Sequence, residues 1–218
     1  VPDSGWLVEY FTAAANAQQF GMFGGPIQPI WPDSGCPEWI VRLVNHGATF
    51  GLTPEGIAAG EVNHAQVWGG NMAIRRGVLD AGFRFNPDVG PAAGQYTMGS
   101  EVEFSGRLAK AGHKAWWVPT APVGHIIREQ QLTRDWVIQR AFRLGRHMCH
   151  QERDQIAPGT ALWRGAPRWR YGQFVREKLR SLWGHARRDF DTAFLADWEL
   201  SFLRGYLSEA ARLHKERA

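Results

Sequence analysis

Several features that would define the protein's class are scarce or missing in this chain. Its 218 residues include two cysteines, Cys36 and Cys149, which is too few for a disulfide framework and favours a reducing compartment. No Asn-x-Ser/Thr acceptor occurs, and no apolar run reaches the ~18 residues that a transmembrane helix needs. A Walker loop, a GxGxxG turn, a Ser-His-Asp arrangement and zinc-ribbon spacing are also missing. The sequence is therefore not typical of a secreted disulfide scaffold, a membrane-spanning protein or a P-loop enzyme.

The composition that remains is that of an ordinary globular protein with a basic bias. Hydrophobic residues make up 44% and charged residues 21% of the chain, and the formal net charge is +4. The bias is local, because residues 125–190 hold 14 Arg and Lys against 6 Asp and Glu. This region could meet phosphates, nucleic acid or anionic lipid headgroups.

Hydrophobic spacing and breaker residues predict alternating helices and strands, followed by helices alone. The first predicted helix has Asp3 or Ser4 as its N-cap, and one of its faces carries Trp6, Leu7, Tyr10, Phe11 and Ala14. The others are one running from Pro37 to Gly47, and Arg75–Ala81, Glu101–Ala111, Leu132–Met148, Tyr171–Arg188 and Thr192–Lys215. The predicted strands are Phe20–Trp31 with a break at its glycines, Ala65–Trp68, Lys114–Val118 and Pro122–Ile126. Residues 48–63 and Phe83–Met98 are predicted loops, and Pro158–Pro167 is a predicted linker.

Three short segments carry residue types suited to a catalytic site. The stretch Trp68–Asn71 places two glycines after a short apolar run, where backbone bends sharply or approaches a ligand. Ser100 and Glu101 begin a predicted helix, so a carboxylate meets the helix dipole and unpaired N–H groups. His125 ends a predicted strand. Taken singly, these residues also fit structural roles: a turn, a helix-dipole acid and a histidine bonded to backbone.

The order of these segments resembles that of family-2-type inverting glycosyltransferases of the GT-A fold. That family has a GxN turn, an acidic pair leading a helix, an Ala-Gly turn, a strand ending in Pro, a His, and a helix with spaced arginines. The matching residues here are Gly70 with Asn71, Glu101 with Glu103, Ala111 with Gly112, Pro119, His125, and Arg140, Arg143 and Arg146. The resemblance extends over most of residues 1–150.

The resemblance implies an α/β fold. We expect residues 1–157 to form the acceptor-side portion of a partial, Rossmann-like GT-A domain, and residues 158–218 a helical appendage. The segment Pro2–Leu7 is similar to the Pro-x-x-Gly-Trp-Leu that follows the family's metal-binding DxD motif. We therefore expect the chain to be the C-terminal portion of a longer enzyme, beginning just after that motif.

Glu101 is the predicted catalytic residue under this resemblance. Inverting transfer needs a base that takes the proton from the acceptor hydroxyl as it attacks the anomeric carbon. The family has Glu-Asp where this chain has Ser100-Glu101, which aligns Glu101 with the family's base. Glu103 lies about 200° further around the helix, so the two carboxylates do not point the same way.

The remaining site residues follow from the same resemblance. The predicted acceptor-binding residues are Trp68, Gly69, Gly70, Asn71 and Ser100. The donor's diphosphate is assigned to Arg140 and Arg143, and His125 to a divalent cation, Mn or Mg, although a solvated basic face explains the arginines equally well.

Two interpretations of the C-terminal region remain open. Aromatic and aliphatic residues interleave with arginines over residues 168–188, a pattern found in helices that lie on anionic membranes. The same pattern fits a helix packed on the rest of the protein with its basic face in water, which we expect for the fold.

The implied function is transfer of a sugar from a nucleotide-sugar, expected to be UDP-linked, to a saccharide or lipid-linked acceptor hydroxyl with inversion, as in the synthesis of cell-envelope glycans. The expected location is the cytoplasm, peripherally on the inner face of the membrane, without nucleic acid as a partner. The competing hypothesis is a non-catalytic, basic interaction module on a degenerate glycosyltransferase fold.

Overall fold

The computed structural model describes residues 1–87, 91–92, 95–96, 99–153 and 155–216. Packing divides the chain into two compact units. The first is built mainly from Val1–Cys36, Asn45–Gln95 and Gly99–Glu129, and the second mainly from Pro37–Val44 and Gln130–Ala218.

The elements alternate in the first part of the chain and are mainly helical in the last part. The α-helices are α1 (Trp6–Asn16), α2 (Glu38–Leu43), α3 (His46–Phe50), α4 (Arg76–Asp80), α5 (Ser100–Lys110), α6 (Arg134–Arg153), α7 (Arg168–Ala186) and α8 (Phe190–Lys215). The strands are β1 (Phe20–Gly24), β2 (Ile27–Ile30), β3 (Gly60–Val62), β4 (Met72–Ile74), β5 (Pro91–Ala92), β6 (Gln95–Tyr96), β7 (Lys114–Trp117), β8 (Val123–Ile126), β9 (Leu162–Trp163) and β10 (Ala166–Pro167). Short 3-10 helices cover His64–Gln66, Gly69–Asn71 and Glu129–Leu132.

A mixed sheet in the order β3-β7-β1-β4 forms the centre of the first unit. The inner strands β1 and β7 are parallel, and the outer strands are antiparallel to them. Strands β2 and β8 form a second parallel pair, in which Pro29 is opposite His125. Because β2 follows β1 and β8 follows β7 along the chain, the connections near Gly25 and Ala121 lie between the two parallel pairs. Open α/β sheets bind ligands beyond the carboxyl ends of their strands.

Strand β1 is buried at all five positions because apolar side chains cover both of its faces. Phe20 and Phe23 join a cluster that includes Tyr10 of α1. Met22 joins a second cluster with Phe104 of α5.

The second unit is organised around the long helix α8, which packs against both α6 and α7. Helices α6 and α8 approach closely at two glycines: a β-carbon at Gly145 would lie 1.9 Å from the carbonyl oxygen of Phe202, and one at Gly205 would lie 2.0 Å from that of Phe142. Helix α6 therefore packs with the C-terminal helices. The expected domain division after residue 157 stays a prediction, because the two compact units are defined by contacts within the fold and do not by themselves fix a domain boundary.

The predicted mixture of helices and strands with a helical C-terminus is confirmed. The GT-A fold itself stays a prediction. The predicted helices over α1, α4, α5, α6, α7 and α8 and the strands over β1, β2, β7 and β8 are present. Gly112 follows α5 with a φ of 89°, the left-handed conformation that its position after the helix predicted. The predicted cap of α1 is wrong, because Gly5 occupies the cap position without a side-chain hydrogen bond.

Other predictions of local structure are wrong for identifiable reasons. Ala65–Trp68 is not a strand, because Asn63 and Gln66 form a capping box that begins a 3-10 turn. Helix α2 ends at Leu43 rather than at Gly47, since Asn45 caps the separate helix α3. The predicted loop over 48–63 contains the end of α3 and strand β3, and the predicted linker contains the hairpin β9–β10. The predicted loop Phe83–Met98 falls partly outside the described residues.

Candidate functional site

Asn71 is the buried centre of the region that contains the Gly-Gly turn, with 2% of its surface exposed. Its side-chain oxygen accepts hydrogen bonds from the indole of Trp6 and the hydroxyl of Tyr10, each at 2.9 Å. Its amide nitrogen donates to the carbonyl oxygens of Pro26 and Ala121, at 2.9 and 2.8 Å. An asparagine side chain has few further bonds to offer. Asn71 therefore fixes α1, β4 and the two connections between the parallel pairs, and the structure gives it a positioning role rather than a ligand contact.

Gly25 is needed because of this hydrogen-bonded centre. A β-carbon at position 25 would lie 2.7 Å from the amide nitrogen of Asn71 and 2.8 Å from the carbonyl oxygen of Ala121. Any larger residue would displace the side chain that joins these segments.

The glycine turn itself is presented to solvent. Gly69 and Gly70 are exposed, and Trp68 is partly exposed. The indole nitrogen of Trp68 donates to the carbonyl oxygen of Ala65 at 2.7 Å, and its ring lies against Gly47, where a β-carbon would be 3.0 Å away. The predicted acceptor-binding residues Trp68, Gly69 and Gly70 thus form an accessible, fixed surface.

Glu101 lies directly against this turn. A β-carbon at Gly69 would be 3.3 Å from Cβ and 3.6 Å from the carboxyl carbon of Glu101. Helix α5 begins after Gly99, whose φ of 92° is the left-handed conformation that glycine favours. Gly99 has no side chain with which to cap α5, and Ser100 and Glu101 lie in the first turn, where helix N–H groups lack partners within the helix. The hydroxyl of Ser100 donates to Oε2 of Glu101 at 3.2 Å, and in the described part of the chain it is the only side chain that does so.

Glu103, the other acid of the α5 N-terminus, is committed to a structural contact. Its carboxylate accepts two hydrogen bonds from the guanidinium of Arg107, at 2.5 and 3.1 Å. Arg107 also donates to the carbonyl oxygen of Arg84 at 2.6 Å. This bidentate pair ties α5 to the segment after α4, and it separates the role of Glu103 from that of Glu101.

A cleft of about 430 Å³ opens beside the glycine turn, within the size range of small-molecule sites. Its walls bring His125 of β8 together with Gly70 and Trp6. The remaining lining residues are Val1, Pro2, Ile27, Val123, Gly124 and Ile126. Since Gly70 follows Gly69, beside which Glu101 lies, the structure brings three of the predicted site segments into one region.

The described residues do not complete a metal site. His125 is the one metal-ligating side chain in the cleft lining, and no group of three His, Cys, Asp or Glu side chains is placed to hold an ion among the described residues. A divalent cation at His125 would need further oxygen ligands, which hard cations such as Mg prefer.

The predicted diphosphate ligands lie on α6, in the second unit. Arg140 is partly exposed and Arg143 is exposed. Arg146, on a neighbouring position of the same helix, donates to the buried carboxylate of Glu209 at 2.8 Å. Arg146 therefore has a structural role, and the assignment of Arg140 and Arg143 to a diphosphate stays a prediction.

Trp6 and Tyr10 are the participants that the sequence analysis missed. Their spacing predicts one face of a helix, and it does not indicate that the hydrogen-bond donors of both side chains meet at Asn71. Burial raises the pKa of the Tyr10 hydroxyl, so Tyr10 remains a donor to Asn71.

Comparisons of the chain with protein-family models, with curated proteins and with solved structures give no match. Within the described residues, every helix is too short or too polar to cross a membrane. The chemistry of the site has to be inferred from its own geometry.

Proposed function

We propose that this chain carries the acceptor side of an inverting sugar-transfer site. The observation that supports it best is the position of Glu101, in the first turn of α5, beside Gly69 of the exposed glycine turn, where an added β-carbon would lie 3.3 Å from Cβ of Glu101. A carboxylate that lies beside the exposed backbone of the glycine turn, next to a cleft, is placed to take a proton from a bound hydroxyl.

Glu101 is the general base in this proposal. An acceptor hydroxyl lies over Gly69 and Gly70, and Glu101 takes its proton while the hydroxyl oxygen attacks the anomeric carbon of a nucleotide-sugar. The new carbon–oxygen bond forms as the bond to the diphosphate oxygen breaks, and the diphosphate leaves with the electron pair. Attack opposite the leaving group inverts the anomeric configuration. Ser100 orients the base through its hydrogen bond, and Asn71 holds the glycine turn in place.

The donor and cofactor are proposed on the resemblance alone. They are a UDP-linked sugar and a divalent cation, Mn or Mg, with His125 on the cation and Arg140 and Arg143 on the diphosphate. Since the described residues supply His125 without a full ligand set, no step of the proposed chemistry depends on the cation. The proposed location is the cytoplasm, on the inner face of the membrane.

A non-catalytic interaction module is the second candidate. The exposed, basic and apolar face of α7 favours it, because such a face serves binding rather than sugar chemistry. The two functions make opposite predictions for turnover.

The test is an assay of nucleoside-diphosphate release by the natural full-length protein. UDP-sugars are offered with saccharide or lipid-linked acceptors and with manganese or magnesium, and the anomeric proton coupling of the product is measured by NMR. The proposal predicts acceptor-dependent release and a product of inverted configuration. Retained configuration, or folded protein that releases no diphosphate with any pair, would contradict it.

A further inference from the structure

Helix α7 has its polarity reversed relative to a helix that packs in a soluble protein. Its buried positions are polar or small: Arg170, Glu177, Ser181 and Gly184. Its large apolar side chains point outward instead, and Val175, Leu179, Leu182 and Trp183 are between 50% and 63% exposed. Helix α7 packs on α8 and exposes basic side chains, as expected for a packed helix, but these apolar side chains are exposed as well.

Polar pairing explains the buried side. Arg170 donates to both carboxylate oxygens of Glu152 on α6, at 2.9 and 2.7 Å, and its guanidinium lies 4.6 Å from the ring centre of Tyr206 on α8. Glu177 is 5% exposed and accepts hydrogen bonds from Arg176 and Arg180 at its edge. The contacts of Arg170 anchor α7 to α6 and α8, whereas those of Glu177 lie within α7 itself. The large apolar residues named above take no part in these polar contacts.

The exposed apolar residues form a continuous stripe along the helix. Val175, Leu179, Leu182 and Ala186 are spaced by four, three and four residues, so they share one face. Trp183 lies beside this stripe, one turn after Leu179. A stripe of this kind is too large to be explained as scattered surface residues.

Positive charge flanks the stripe on both sides. Arg176 and Arg180 lie along one edge with 71% and 43% of their side chains exposed, and Lys178 lies along the other. The guanidinium of Arg187, just after the helix, lies 4.5 Å from the ring centre of Trp183. The one carboxylate of α7 is the buried Glu177, so the exposed face carries cations without acids.

We propose that this face of α7, which we call the α7 face, binds to the surface of an anionic membrane. The aliphatic stripe enters the boundary between headgroups and acyl chains, Trp183 lies at the level of the headgroups, and the flanking arginines and lysine meet lipid phosphates. The proposal rests on α7 and does not depend on the proposed sugar transfer.

The distribution of charge on the α7 face argues against a second copy of the chain or nucleic acid as its partner. In a two-fold dimer the same surface of each copy meets its counterpart, which would bring the basic edges together without an acid between them. Nucleic acid would need the cations along the centre of the face, where the aliphatic side chains lie instead.

Vesicle flotation with the purified protein tests the proposal. The lipids are phosphatidylcholine alone or with phosphatidylglycerol, and sedimentation velocity without lipid reports the oligomeric state. The protein is expected to float with the anionic vesicles and not with the neutral ones. Replacing Leu179 and Leu182 together by Asp should lower the partition at least about tenfold.

Matched variants distinguish membrane binding through the α7 face from non-specific adsorption of other exposed apolar residues. Leu7→Asp with Val8→Asp makes the same polarity change on α1, where both residues are also exposed, and should leave flotation unchanged. Arg176→Gln with Arg180→Gln should weaken flotation and reduce its dependence on salt. Equal flotation with both lipids, undiminished flotation of the Leu179 and Leu182 variant, or a dimer that this variant dissociates would overturn the proposal.

Discussion

Some residues of this chain stabilise the fold through their contacts, and others are placed where they could take part in a reaction. Asn71 illustrates what a sequence shows of this distinction. Its place after two glycines indicated a site, but its four hydrogen bonds join segments 45 to 65 residues apart, which no local pattern encodes. Helix geometry alone predicted different roles for Glu103 and Glu101, because they point in different directions. The ion pair of Glu103 with Arg107 gives Glu103 a structural role.

Glu209 of α8 gives a prediction about acid stability. Burial alone would raise its pKa, but hydrogen bonds from Arg212, Arg146 and His150 outweigh burial and lower the pKa from 4.5 to about 2. A carboxylate with a depressed pKa in the folded state contributes stability above its unfolded pKa, and this contribution is lost as the pH falls toward 2. The lowered pKa of Glu209 therefore contributes to the free energy of unfolding at neutral pH.

Urea unfolding of wild type and of Glu209→Gln at pH 7 and near pH 2 measures this contribution. At pH 7 the free energy of unfolding of Glu209→Gln should be several kcal/mol lower than that of the wild type, on the order of the cost of removing one partner from a buried ion pair. This difference between variant and wild type should shrink in acid. Glu216→Gln, at the exposed end of the same helix, is the control and should change little. A difference between wild type and Glu209→Gln that stays constant with pH would contradict the assignment.

At the scale of elements, periodicity predicted the helices well because their apolar spacing is long and regular. It failed where a side chain, rather than a period, decides the conformation, as at the Asn45 cap of α3 and the capping box of Asn63 with Gln66. It did not decide which face of α7 is outward, because the partners that bury Arg170 lie on other helices.

The crossing of α6 and α8 gives a prediction for two glycines. Gly145→Ala should destabilise the protein by about 2 kcal/mol or more, since the new methyl group would meet a backbone carbonyl rather than a movable side chain. Gly205→Ala should behave alike. Gly172→Ala, on an open position of α7, is the matched control and should be neutral or stabilise by up to about 1 kcal/mol. Thermal and urea unfolding compare the three, and equal stability of Gly145→Ala and Gly172→Ala would refute the close packing.

The whole molecule combines an α/β unit that holds the candidate site with a helical unit that carries the α7 face. The mixture of elements followed from the sequence, and so did the candidates Glu101, Gly69, Gly70 and His125, which the structure places in one region. The position of Glu101 beside Gly69 depends on the packing of α5 beside the 3-10 turn His64–Gln66 and could not be predicted from spacing. The sugar, the acceptor and the role of the cation remain proposals.

The most direct measurement of the central claim is the turnover of Glu101→Gln compared with that of Glu103→Gln in the full-length protein. Gln keeps the size of the side chain and still accepts a hydrogen bond, but it cannot take a proton. Glu101→Gln should therefore lower kcat on the order of a hundredfold or more while donor binding, measured by calorimetry, stays nearly unchanged. Glu103→Gln should lose some stability with its Arg107 contact and keep its turnover. Full activity of Glu101→Gln, or loss of turnover in Glu103→Gln alone, would contradict the assignment of Glu101 as the base.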